Sequence, residues 1–158
     1  MTDLRGDIGF ATAIELKQSY ARGDVRPTEV VRGILERIDA VNPKVNAFSV
    51  IMREEAVASA KQSEQRLNDR EAGPLEGIPV TIKDAFDVAG YETSMGSHAL
   101  ETPVATCDNV VVERLRKAGA VIIGKTTMSE FAWSGISRNP VTGITHNPWG
   151  HGLNAGAS

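Results

Sequence analysis

One short apolar run restricts this chain more than any other feature. Ile78-Pro79-Val80-Thr81-Ile82 lies between Gly77 and the charged pair Lys83-Asp84, the pattern of a buried strand ended by charge. Asp108 can then cap a helix over Asn109–Lys117 whose core face is Val111, Val112 and Leu115. Gly119 ends that helix, and Ala120–Ile123 is a second buried-strand candidate. Strand, helix and strand in this order predict a parallel βαβ unit with a right-handed crossover, and so an α/β fold.

The first half of the chain reads as helices. Thr12–Arg22 forms one, ended by Gly23. Thr28 offers an N-cap for a second, in which Val30, Val31, Ile34, Leu35, Ile38 and Val41 recur at helical spacing until Pro43 stops the run. Val45–Met52 alternates with an imperfect period, as a strand would. Glu54–Arg70 is polar, with Val57, Ala60, Glu64 and Leu67 on one face, and predicts a largely exposed helix. After Ile82 comes a loop over Gly90–Thr106, and Thr127–Trp133 predicts one more short helix. Ser134–Ser158 differs from the rest, with five glycines, two prolines and three asparagines. Structureless stretches beyond about 12–15 residues are uncommon in compact domains. That texture and the uncapped end at Gly156-Ala157-Ser158 lead us to expect a fragment.

Composition removes several classes of function. A net charge of -3 argues against nucleic acid or an anionic membrane as the main partner. The single Cys107 allows no internal disulfide, which fits a reducing cytoplasm. The N-terminus has no apolar run suited to a signal peptide, and no stretch approaches the ~18 apolar residues of a membrane-spanning helix.

Few residues carry chemistry on their own. Lys83 closes an apolar strand, where lost solvation lowers a lysine's pKa and lets the neutral amine act as a general base. Taken alone it reads more simply as a strand-end lysine that reaches water, paired with Asp84 or Asp87. Ser158 follows two small residues, a context that usually does no more than turn. His98, His146, His151 and Cys107 match no metal-ligand spacing, and no dinucleotide-binding fingerprint is present. Trp133 and Trp149 suit packing, or the wall of a pocket.

Taken together, five segments resemble the amidase signature family. They are Gly73-Pro-Leu-Glu-Gly-Ile-Pro-Val-Thr-Ile-Lys-Asp84, Thr93-Ser-Met-Gly-Ser97, the stretch Val112–Thr126, Met128-Ser-Glu-Phe-Ala132, and Asn147-Pro-Trp149. The family's catalytic lysine falls on Lys83. Six residues after Asn-Pro-Trp the family carries Gly-Gly-Ser-Ser-Gly-Gly, and here Gly156-Ala157-Ser158 fall on its first three positions. Ser158 is then the serine that bridges lysine and nucleophile, normally after a cis peptide bond. Ala157 departs mildly from the family's glycine. The nucleophilic serine and the oxyanion-hole backbone lie further on in the family.

The resemblance implies a mixed, twisted sheet with helices on both faces, incomplete in this chain. Residues 1–158 would be the N-terminal portion of a single amidase domain, with 1–72 mainly helical and 73–158 the start of its core. It implies hydrolysis of a carboxamide C–N bond through a serine acyl-enzyme. The catalytic residues would be Lys83 and Ser158, with Trp133 touching substrate and neither metal nor cofactor required. The expected partners are a small-molecule amide, the C-terminal remainder of the domain and a second copy of the chain, with neither nucleic acid nor membrane. Two other readings stay open: the glutaminase-type component of a tRNA-dependent amidotransferase, and a non-catalytic fragment acting by association.

Overall fold

The structure is a computed structural model, and it describes residues 8–156. After a 3₁₀ turn at Ile8–Phe10, helix α1 spans Ala13–Arg22. Thr12, read from the sequence as the first helical residue, is instead its N-cap. Its hydroxyl accepts the Glu15 N–H at 3.2 Å, while the Glu15 carboxylate accepts the Thr12 N–H at 2.8 Å. This reciprocal box satisfies two donors that the helix start leaves unpaired. The Thr12 backbone and hydroxyl bonds hold the Glu15 carboxyl below its ordinary value.

Helix α2 (Pro27–Val45) corrects both of its expected ends. Pro27, not Thr28, opens it, because the first helical residue needs no N–H donor. The backbone N–H and hydroxyl of Thr28 both go instead to Glu64 Oε1. Pro43 does not stop the helix: it lies in the last turn, and the Asn46 N–H still reaches Asn42 O at 2.7 Å. Asn42 Oδ1 then takes the Ala47 N–H at 2.7 Å and turns the chain into strand β1 (Phe48–Ile51). The strand is shorter than the expected Val45–Met52, since Val45 closes α2, and its pairing shifts register between Phe48 and Val50.

Helix α3 (Arg53–Asn68) buries Ala56, Ala60 and Ser63, a stripe of small residues. Of the expected face only Ala60 is fully buried. Val57, Glu64 and Leu67 are half-buried, so the inward stripe is turned by about one residue.

Strands β2 (Pro79–Lys83) and β3 (Val121–Thr126) flank helix α4 (Val110–Lys117) in sequence. The three-stranded sheet runs β1-β3-β2, and β1 is antiparallel to β3. The Val121 N–H bonds Ile78 O at one end and the Asp84 N–H bonds Thr126 O at the other. The two chains advance together, so β2 and β3 are parallel, as the strand–helix–strand order requires. Asn109, not Asp108, caps α4, accepting the Val111 N–H at 3.0 Å. Asp108 instead accepts the Ala89 N–H at 2.8 Å. With only two turns available, α4 buries Val112 alone and leaves Val111 exposed. Strand β3 also runs past Ile123 through Gly124-Lys125-Thr126. A Cβ at Gly124 would stand 2.2 Å from Val50 O, so only glycine lets β1 approach here.

Two later expectations also change. Thr127–Trp133 forms no regular helix, only a 3₁₀ turn at Glu130–Ala132. The Phe131 N–H is drawn away to Met95 O at 2.9 Å, with φ 51° at Phe131 and 56° at Ala132. The glycine-rich tail is not structureless. It folds into two short antiparallel pairs, β4 (Arg138–Asn139) with β5 (Gly143–Ile144), and β6 (His146–Asn147) with β7 (Gly150–Asn154).

The chain divides into two compact units. The first takes residues up to Ala40, Met52–Val80 and Leu115–Ile123; the second takes Val41–Ile51, Thr81–Arg114 and Gly124 onward. The first unit has a core of Leu16, Tyr20, Val30 and Ile78, packed with Val25, Ile34, Leu67 and Leu75. Tyr20 donates to Gly77 O at 3.0 Å, and burial pushes its phenol well above the ordinary value. In the same unit Glu76 is 3% exposed. It accepts two bonds from Arg66, at 3.0 and 2.8 Å, and the Gly73 N–H at 2.9 Å. Gly119, at φ 89°, leaves room for it, since a Cβ there would meet Glu76 Oε2 at 2.5 Å.

Burial works to raise the Glu76 carboxyl, but the bonds from Arg66, Gly73 and Ser63 outweigh it and hold the group below 4.5. A lowered folded-state value means stabilisation that is full above the unfolded value and lost as pH falls through the folded one. Glu76→Gln should therefore cost on the order of 1–3 kcal/mol at neutral pH, the usual penalty for breaking a buried bond. The gap from wild type should close as pH is stepped below 4.5 in urea unfolding. A gap that stays constant would remove Glu76 from the acid response.

Candidate active site

The candidate site belongs to the second unit and is organised around the end of β2. Lys83 is the last residue of that strand and is half-buried. Asp84, directly after it, is 4% exposed. Its N–H bonds Thr126 O at 3.0 Å and its carbonyl accepts the Met95 N–H at 3.2 Å. Both carboxylate oxygens are also engaged: Oδ1 meets Lys125 Nζ at 2.8 Å, and Oδ2 accepts the Ser94 hydroxyl at 2.5 Å.

Lys125 is the residue that sequence reasoning missed. It stands in β3 and is 0% exposed. Besides Asp84, its ammonium donates to the Glu92 carbonyl at 2.5 Å and to Thr93 Oγ1 at 2.7 Å. An ammonium has three donors, and these three partners match them, which makes a buried charge tolerable. The expected strand, Ala120–Ile123, ends before it, and only the extension of β3 through Gly124-Lys125-Thr126 brings this lysine inside.

The bonds continue outward from this centre. Ser94 Oγ accepts the Gly96 N–H at 3.0 Å, and the Ser97 hydroxyl donates to Glu130 Oε1 at 2.7 Å. Asn139 Nδ2 donates to Met128 O at 2.7 Å, while its Oδ1 accepts the Val141 and Thr142 N–H groups. Segments 84–97, 128–131 and 139–142 are thus tied by side-chain and backbone bonds.

An open cleft of about 690 Å³ adjoins them, with Phe131, Trp133, Ile136 and Ile144 as its apolar lining and Glu130 and Arg138 as its charged groups. Its size suits a small organic molecule. Trp133 forms part of the wall and is 91% exposed. The Ser129 hydroxyl is buried without a partner. His146 and His151 stack with ring centres 4.0 Å apart, which gives these two histidines a packing role on the β6–β7 pair. Ser158, the other expected catalytic residue, lies outside the described residues. Among the described residues no three histidine, cysteine, aspartate or glutamate side chains converge as metal ligands, and no helix is long and apolar enough to cross a membrane.

Residues 29–158, which include Lys83, the Asp84–Lys125 pair and Ser158, match the family described as Amidase. The chain belongs to the amidase family. It is 38% identical over 153 residues to an acylamidase of Rhodococcus erythropolis, covering 96% of this chain and 32% of that one. It is 41% identical over 138 residues to one component of the glutamyl-tRNA(Gln) amidotransferase of Coxiella burnetii, covering 87% of this chain and 29% of that one. Among solved structures, the peptide amidase of Stenotrophomonas maltophilia superposes with a TM-score of 0.82 at 30% identity, covering 92% of this chain and 31% of that one. This member of the family thus spans about a third of the length of the relatives it matches.

Breaking the buried pair from one side leaves a charge without its partner. Lys125→Met should therefore lower stability by about 3–5 kcal/mol, the usual cost of orphaning a buried ion. Urea unfolding at pH 7 measures it, and a loss below about 1 kcal/mol would mean that water reaches Asp84 in solution.

Proposed function

We propose that the protein acts as an amidase, cleaving a carboxamide C–N bond through a serine acyl-enzyme. Lys83 is the general base and Ser158 the bridging serine. The nucleophile and the oxyanion donors come from the glycine-rich segment that follows Ser158's position in the family. The nucleophilic serine adds to the carbonyl carbon, and its proton passes through the Ser158 hydroxyl to Lys83. As the C–N bond breaks, the proton returns to the leaving amine. Water then cleaves the acyl ester by the same relay, while backbone N–H groups hold the oxyanion. Trp133, in the cleft wall, is the proposed contact for the substrate's apolar part.

One observation carries this reading: the family match runs continuously through the strand that ends in Lys83 and on to Ser158. The fixed strand end supports it, because the residue after Lys83 is bonded through backbone and side chain alike. The 41% identity to an amidotransferase component favours a second reading, in which the amide is glutamine and the ammonia released serves a partner protein. Glutaminase activity that appears only with the other amidotransferase components and charged tRNA would select it. Turnover of simple amides by the enzyme alone would select the first.

In the intact enzyme Lys83→Ala should lower kcat by about 10²–10⁴-fold, the range for losing a general base. Lys83→Arg should not restore it, because guanidinium keeps its proton at neutral pH. Near wild-type kcat in Lys83→Arg would make the lysine structural. Residues 1–158 alone should turn over no amide above buffer, since the proposed nucleophile is not among them. Turnover by this segment in pure form would place the chemistry elsewhere.

A further inference from the structure

We propose that Lys125 is a positioning residue for the amidase reaction, holding the β2 exit so that Lys83 meets the serine relay; this rests on Lys83 being the base. A buried ion pair is a poor source of stability, since a neutral pair of similar volume often serves as well or better. Its placement therefore calls for a reason other than stability. All three donors of the Lys125 ammonium are spent on the segment that leaves β2, at Asp84, Glu92 and Thr93. Asp84 adds its own N–H, its carbonyl and its second carboxylate oxygen to Thr126, Met95 and Ser94.

The residue next to Lys83 is thereby fixed in position and direction, and the Lys83 side chain projects from a rigid base. A base has to lie within hydrogen-bond reach of its proton, and an error of about 1 Å can cost 10²-fold in rate.

The test replaces both partners by neutral groups of similar shape, Asp84→Asn with Lys125→Met, in the intact enzyme with 4′-nitroacetanilide as probe. Thermal unfolding, kcat per active site and KM are read together. Positioning predicts a folded enzyme with kcat lower by about 10²-fold or more and KM within about threefold of wild type. Lys125→Arg should be equally slow, because a planar guanidinium cannot reproduce the three ammonium bonds. A double variant with kcat within about threefold of wild type would overturn the proposal, since a merely structural pair loses nothing once stability is kept. Should the double variant not fold, Thr93→Val keeps the ion pair and removes one ammonium acceptor. A fall of about tenfold in kcat at unchanged KM supports positioning, and wild-type kcat overturns it. Lys83→Ala in the same assay separates the two claims. If it stays active, the assignment of the base is wrong. If it is dead while the double variant is fully active, only the role of Lys125 is wrong.

Discussion

The second unit depends on one buried charge. Lys125 reaches from β3 to the exit of β2 and collects an acid, a carbonyl and a hydroxyl around one ammonium. Those groups come from a loop with few buried apolar residues of its own, so polar bonds do the work that core packing does elsewhere. The arrangement is directional. Apolar packing tolerates sliding, whereas three short bonds to one ammonium fix where the loop sits. Loops that carry function need that kind of definition, because a bare surface loop is the most mobile part of a fold.

The first unit solves a related problem with a different cation. Glu76 is as buried as Asp84, yet its partner Arg66 keeps 38% of its side chain exposed. A forked guanidinium can satisfy a carboxylate and still face water, so it suits the margin of a unit. A lysine with three fixed partners can be enclosed entirely. In sequence the two acids bracket β2, one before Ile78 and one after Lys83. The strand is therefore delimited by two buried carboxylates, each held by more than one donor, while Thr81 between them is exposed.

Most of the elements were legible in the sequence, and the misses share a cause. Helices, strands and their order follow from periodicity, which reports burial. Ends do not, because several polar residues compete for each cap. Thr28 and Asp108 are sound caps by type, but Glu64 captures Thr28 and Ala89 occupies Asp108. Those partners lie far away in sequence. Pro43 costs the helix one backbone bond near its end, and the Asn46 N–H still closes the last turn on Asn42 O. The Phe131 turn was misread because Met95, thirty-odd residues earlier, competes for its N–H. Of the candidate site, Lys83 was proposed from its strand-end context and from family resemblance. Lys125 was not, because its meaning depends on an acid forty-one residues earlier in the chain.

The partner that Asp84 takes also decides how its buried charge is met. Here the Asp84 carboxylate is turned to Lys125 on one oxygen and to Ser94 on the other. The acid nearest to Lys83 in sequence is thus committed to another cation. An asparagine at position 84 would carry no charge to cancel, but it would leave the buried Lys125 ammonium unpaired. A matched pair serves both needs: it fixes the loop by strong bonds and leaves no net charge buried between β2 and β3.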